Sequence, residues 1–190
     1  MKKVFIDCGA NIGQSISLFA RKWKDADEYE VHSFEPNPRL KESILNSASK
    51  NKLKNFHYHD EAIFNIDGET SFYVGGTTHD IGSSLEKGKS IKVRETIKVK
   101  TIDLSRWIVE NFDKDDYIVL KIDIEGSEYK VMKCLFETKS IEYVNEIYLE
   151  LHLENKVKID IELRDDVNKL ISECTTTKIY TDKHSKLNFT

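Results

Sequence analysis

Short apolar runs alternate along this chain with stretches whose apolar residues recur at helical spacing, a pattern that predicts strands linked by crossover helices. Val4-Phe5-Ile6 is a run closed by Asp7 and Gly9, as in a strand buried on both faces. Ile12, Ile16, Phe19, Ala20 and Trp23 then share one helical face. Val31 to Phe34 predicts a second strand, Leu40, Ile44 and Ala48 a second helix, and Phe56 to His59 a third strand. Farther on, Thr70 to Val74 and Ile91 to Val99 alternate like half-exposed hairpin strands around a Gly-, Thr- and Ser-containing loop. Asp103 suits the N-cap of a helix carrying Leu104, Trp107 and Ile108. Tyr117 to Ile122 predicts a strongly apolar strand, followed by a helix through Met132, Leu135 and Phe136. Ile147, Leu149 and Leu151 continue the sheet, Leu163, Val167, Leu170 and Ile171 mark a last helix, and Lys178 to Thr190 predict a terminal antiparallel hairpin. The expected fold is a single α/β domain over residues 1–190: a doubly wound, Rossmann-like, mostly parallel sheet with helices on both faces.

Composition changes this picture little. A chain of 190 residues with 39% hydrophobic and 33% charged residues is long enough to bury a core without staples. The net charge of −4, with lysines interleaved among acids, gives no footprint for nucleic acid. Cys8, Cys134 and Cys174 lack the spacing of a zinc or redox site and fit a reducing, cytoplasmic setting. No leader or membrane span is expected.

Three motifs carry chemistry. Asp7-Cys8-Gly9-Ala10-Asn11-Ile12-Gly13 joins the first strand to the first helix, where glycines permit a tight turn and helix-start amides face a ligand carboxylate or phosphate. Asp7 disfavours a pyrophosphate there and suits a cationic group such as a methionyl ammonium. Glu35 ends the second strand, where an acid accepts ribose hydroxyl protons. Capping the helix after Pro36 and Pro38 is its structural alternative. Lys121-Ile122-Asp123-Ile124-Glu125-Gly126-Ser127-Glu128 follows the central apolar strand, so Asp123 and Glu125 are expected in the crevice shared with Gly9 and Glu35. Two acids at such a mouth are costly unless they meet a cation, a hydroxyl or a metal. Glu128 is fully explained as part of the first turn of a helix capped by Asp123.

Together these motifs resemble the FkbM family of class I methyltransferases. Glu61-Ala62-Ile63 with Asp67-Gly68, Gly82-Ser83-Ser84-Leu85 and Thr101-Ile102-Asp103 extend the resemblance over nearly the whole chain. The resemblance implies S-adenosylmethionine as cofactor and methylation of an oxygen, often on a sugar or a natural-product hydroxyl. Carried over, Asp7, Gly9, Ala10, Asn11 and Gly13 hold the methionyl part and Glu35 takes the ribose, with Pro36 and Asn37 shaping that wall. Asp60, Glu61 and Ala62 lie beside the adenine, Ser83 and Ser84 close over the cofactor, and Asp123 and Glu125 border the transferred methyl. Family members carry a segment before the first strand, whereas here that strand starts almost at Met1. Either the chain is a domain cut from a longer protein or its acceptor cleft is unusually open.

An alcohol acceptor must lose its proton as the new bond forms. Asp123, Glu125, Glu150 and His152 are the candidates, with His152 able to titrate near neutrality. The alternative is a divalent cation held by Asp123 and Glu150 that acidifies the acceptor. The expected function is methyl transfer to a sugar or glycan hydroxyl. An RNA ribose 2′-O-methyltransferase and a non-catalytic nucleotide-binding module are the competing readings.

Overall fold

The computed structural model describes residues 1–75, 82–86, 93–152 and 160–181. Its main sheet has six strands in the order β3-β2-β1-β7-β8-β9, all parallel. These are β1 (Lys3–Cys8), β2 (Glu30–Phe34), β3 (Asn55–His59), β7 (Tyr117–Ile122), β8 (Glu146–Leu149) and β9 (Lys178–Thr181). The central strands β1 and β7 are buried from their second residue onward, which is why both read as uninterrupted apolar runs.

Alternation along β1 sorts the core into two layers. Phe5 faces α1 (Gln14–Lys22), where its ring stacks on Phe19 at 4.1 Å and 3°. Nearby, Ile16 of α1 packs with Leu40 and with Ile44 of α2 (Lys41–Lys50). Val4, Ile6 and Cys8 face the other way, into a cluster built by three further helices. Leu104, Trp107 and Ile108 come from α3 (Leu104–Asn111), Met132 and Leu135 from α4 (Glu128–Glu137), and Val167 from α5 (Ile161–Glu173). Helices therefore cover both faces, as expected. Asp103 caps α3 as its position predicted, accepting from the amides of Ser105 and Arg106 at 2.9 and 3.2 Å.

A second sheet has the order β4-β6-β5, with β5 (Gly68–Gly75) antiparallel and β4 (Ala62–Phe64) parallel to β6 (Val93–Asp103). The expected hairpin is thus present, while β4 escaped sequence reading because three residues display no period. Ser84 bridges back to Tyr73, setting segment 82–86 along the β5 edge of this sheet. At the C-terminus, β9 runs parallel to β8. The second strand of the expected terminal hairpin falls beyond Thr181, outside the described residues. Among the described residues no helix is long and apolar enough to cross a membrane.

The chain winds outward in opposite directions from β1 and β7, so the gap beyond their carboxyl ends is the sheet's topological switch point, where open α/β sheets bind ligands.

Candidate active site

A cleft opens at that switch point. Its walls are Phe34, Leu40, Ile63, Phe72 and Leu85 on the apolar side, and Asn11, Glu35, Asp123 and Glu125 on the polar side. Gly9, Pro36, Ala62, Gly82, Ser83 and Ile124 complete the lining.

The loop after β1 is shaped by packing. Gly9 has φ +83°, and a Cβ there would stand 1.9 Å from the carbonyl oxygen of Asp123. Gly13 has φ +86°, and a Cβ would meet Cβ of Ser47 on α2 at 2.7 Å. The amides of this loop are already engaged. Those of Gly9 and Ala10 donate to the Phe34 carbonyl at 3.0 and 3.1 Å, and that of Gly13 to the Ala10 carbonyl at 2.8 Å. The Asn11 amide donates to Glu35 Oε2 at 2.9 Å and the Ile12 amide to Asn11 Oδ1 at 2.8 Å. This corrects the expectation of free helix-start donors at these five positions: a buried amide finds its partner inside the fold first.

Glu35 ties two loops together. Besides Asn11, it accepts from the Asn37 amide through Oε1 at 3.0 Å, and the Tyr58 hydroxyl donates to its carbonyl at 2.8 Å. The capping role considered for Glu35 is not the one it plays, since α2 begins only at Lys41 and has Leu40 at its N-cap. Burial pushes the Glu35 carboxyl up to about 7, opposed by its two backbone hydrogen bonds. Each carboxylate oxygen keeps a second lone pair, which suits a vicinal diol.

Behind the mouth lies a chain of buried charge. Asp7 is fully buried, with Lys121 and Ser15 as the side chains facing its carboxylate. Lys121, its register partner on β7, places Nζ 3.4 Å from Asp7 Oδ1 and 3.4 Å from Asp123 Oδ2. Lys121 also donates to the Gly9 carbonyl at 2.8 Å. Burial works against the Lys121 charge, but Asp123 and Asp7 outweigh it and hold its pKa above the ordinary value. Burial pushes the Asp7 carboxyl upward, against the pull of Lys121.

The turn after β7 is held from three sides. Glu125 stands at φ 56°, a left-handed conformation that costs a side-chain-bearing residue about 1 kcal/mol or more. Ser84 Oγ donates to its carbonyl at 2.6 Å. Glu128, fully buried, accepts from the amides of Ile124 and Gly126 at 3.1 and 2.9 Å. His152, just past β8, joins both acids, with Nδ1 2.8 Å from Glu128 and Nε2 3.1 Å from Glu125. Its Nε2 lies 4.0 Å from Asp123.

The Methyltransferase FkbM domain model matches residues 7–176. The chain belongs to the FkbM methyltransferase family. No curated protein and no solved structure matches it significantly.

Within this FkbM domain, Gly9, Asn11, Glu35, Pro36, Ala62, Asp123 and Glu125 line the cleft as the sequence placed them. Asp7, Ala10, Asn37 and Ser84 are buried around it, and Gly13 packs against α2. Asp60 is exposed, and neither it nor Glu61 belongs to the cleft lining. The metal-capable group at the mouth is Asp123, Glu128 and His152, with ligand atoms within 4.8 Å of one another. Glu150 is not a member, and its amide donates to the Ile122 carbonyl at 2.9 Å. Sequence reasoning gave no role to Lys121, although a lysine inside an apolar strand is a signal for buried pairing. It placed Glu128 in the first turn of a helix, and Glu128 is the first residue of α4. The N-cap, however, is Ser127 rather than Asp123, and the Glu128 carboxylate also organises residues 124–126 and receives His152.

The histidine reading is corrected. Burial lowers its pKa, but the carboxylates of Glu125 and Glu128 overcome this and raise it to about 10. His152 is an imidazolium at neutral pH and has no free nitrogen to take a proton. A group raised in this way stabilises the fold fully below its unfolded pKa of about 6.5 and loses that contribution as pH climbs through about 10. The stability advantage of the native chain over His152→Gln should therefore shrink between pH 7 and pH 10.5 in denaturant titrations. A difference that stays constant over that range would remove the charge assignment.

Proposed function

We propose that this FkbM-family methyltransferase uses S-adenosylmethionine to methylate a hydroxyl of a sugar or glycan, with residues 1–190 acting as one catalytic unit. The observation that carries the cofactor reading is the buried Glu35 carboxylate, set beside an apolar wall at the switch point of the sheet. The donor set fits an adenosyl sulfonium. Phe34, Leu40, Ile63, Phe72 and Leu85 offer an apolar slot for a purine, and Glu35 an acceptor pair for ribose hydroxyls. Asp123 and Glu125 place negative charge where a cationic ligand part is stabilised. When bound, S-adenosylmethionine supplies an electrophilic methyl on a positively charged sulfur.

The protein's own task is to orient an acceptor oxygen toward the cleft and take up its proton. Asp123 is the group proposed for that step, being half-exposed on the cleft wall and held by Lys121 and His152. Glu128 already accepts two backbone amides and pairs with His152, so its carboxylate is engaged within the fold.

The net charge of −4 supports a neutral acceptor over a polyphosphate. Transfer of labelled methyl to a panel of glycans and to RNA tests this. Robust RNA labelling with no glycan product would sink the acceptor assignment and leave the cofactor assignment intact. The free thiols of Cys8, Cys134 and Cys174 support a cytoplasmic placement.

Cofactor binding is tested through Glu35. Glu35→Ala should weaken S-adenosylhomocysteine binding by more than about 1 kcal/mol, through loss of charge-assisted hydrogen bonds to the ribose. Hydroxyl donors favour the carboxylate over the carboxylic acid. Affinity should accordingly rise between pH 6 and pH 8, as a group titrating at about 7 loses its proton, and Glu35→Gln should flatten that rise. Calorimetry decides: unchanged affinity in Glu35→Ala, or tight competition by a nicotinamide dinucleotide, would count against the reading.

A further inference from the structure

A second group of ligand-type side chains lies away from the cleft, toward the amino ends of β2 and β3. Parallel pairing sets Glu30 opposite Asn55 and His32 opposite His57. Residues two apart on a strand share a face, so these four side chains form a square on one side of the sheet. Their polar atoms converge. His32 Nε2 is 2.9 Å from Glu30 Oε1, His57 Nε2 is 3.8 Å from the same oxygen, and Asn55 Oδ1 is 2.8 Å from His57 Nε2. The ligand atoms of Glu30, His32 and His57 all lie within 4.8 Å of one another.

We propose that Glu30, His32 and His57 form a binding site for a divalent transition metal of the zinc class, with Asn55 at its margin and a fourth position open to water. Zinc–ligand bonds of about 2.0–2.1 Å at tetrahedral angles put ligand atoms roughly 3.3 Å apart, between the 2.9 and 3.8 Å separations seen from Glu30 Oε1. The exposed His57 ring must turn out of its 15° stack on His32 for both imidazoles to reach one ion. Two imidazoles and one carboxylate match zinc and its neighbours, whereas magnesium and calcium prefer all-oxygen sets.

The surroundings orient the ligands. His32 Nδ1 lies 3.0 Å from His59 Nε2, which fixes the His32 ring and leaves Nε2 for the metal. Trp107 and Phe112 pack edge-on against His32 at 5.1 and 5.7 Å, holding it from the α3 side. The His57 ring stacks on His32 at 4.7 Å. Burial lowers the His32 pKa and takes that of His59 down to about 4. Lys2 is the nearest competing cation. Its exposed ammonium sits 3.7 Å from the other carboxylate oxygen, Glu30 Oε2, and leaves Oε1 available. The metal would clasp the edge strand β3 to β2, independently of the methyl-transfer cleft.

Zinc titration tests the site. Tag-free protein stripped with chelator should take up one Zn2+ per chain at pH 7.5 in competition with a chromophoric chelator. His57 is exposed on an edge strand, so His57→Ala should keep the fold and lower Zn2+ affinity at least tenfold. Glu30→Gln should do the same by removing the only anionic ligand, and Asp123→Asn should leave binding unchanged. Co2+ should give intense visible d–d bands that His57→Ala abolishes. Absence of stoichiometric Zn2+ binding in the parent protein would overturn the proposal. So would loss of binding in Asp123→Asn with retention in His57→Ala and Glu30→Gln, which would move the metal to the mouth of the cleft.

Discussion

Replacing Gly9 with alanine is expected to destabilise the protein by about 3 kcal/mol or more, combining backbone strain at positive φ with overpacking. The backbone at Gly9 has φ +83°, and the new methyl would fall 1.9 Å from the Asp123 carbonyl oxygen, well inside any tolerable contact. Relief requires separating the loop after β1 from the end of β7, which carries the amide pairs to the Phe34 carbonyl and the Asn11–Glu35 bond with it. Cofactor affinity should therefore fall together with stability. Gly68→Ala provides the control. Its φ is not in the left-handed region, and the added methyl would meet only Thr101 Oγ1 at 3.7 Å, an ordinary contact. Denaturant unfolding of both variants separates strain from a general cost of losing glycine. A Gly9→Ala loss no larger than that of Gly68→Ala would refute the close-packed switch point.

The same geometry explains which parts of the site were legible in the sequence. β1 and β7 were readable because strands covered on both faces need uninterrupted apolar residues, and acids at their ends therefore stand out. Asp123 and Glu125 were found on that ground, and Glu35 likewise at the end of β2, which is buried from its second residue onward. The glycines of the first loop were found too, and their φ of +83° and +86° bears out the tight turn, while close packing adds a second reason that the sequence did not show. Gly9 is required by the Asp123 carbonyl and Gly13 by Ser47, so both answer to packing, and the loop amides are engaged within the fold. A glycine-rich turn after a strand is thus compatible with ligand binding without itself being the ligand's donor set.

The apolar wall was not legible. Phe72 belongs to β5 and Leu85 to segment 82–86, and only the placement of the second sheet over the cleft brings them opposite Phe34. Likewise His152 lies 24 residues after Glu128 in the chain, and its protonation state follows from the meeting of two elements that pattern alone cannot position. A histidine reads as a neutral-pH base until its neighbours are known. Here two carboxylates reverse that reading.

That reversal concentrates the chemistry on Asp123, whose conversion to asparagine is expected to reduce kcat by at least ~100-fold, the lower range for removing a general base or its electrostatic partner. Asparagine is nearly isosteric. The backbone bond from the Asp123 amide to the Cys8 carbonyl at 3.1 Å and the contact with Gly9 do not depend on the carboxylate, so the fold should persist. The anion is what disappears. Lys121 Nζ, 3.4 Å away, retains Asp7, and His152 retains Glu125 and Glu128, so neither cation is left unpaired. S-adenosylhomocysteine affinity should accordingly stay within about 1 kcal/mol of the parent, the scale of one hydrogen bond. Turnover should fall because an amide cannot accept the hydroxyl proton. His152→Gln separates direct from supporting roles. It leaves Asp123 in place, so its effect should be smaller, and added divalent metal should not restore the loss. Activity abolished by chelator and recovered with metal would instead assign proton removal to a cation held at Asp123, Glu128 and His152. An Asp123→Asn enzyme with kcat within about threefold of the parent would take the acid out of the reaction altogether, leaving acceptor positioning as the main source of rate.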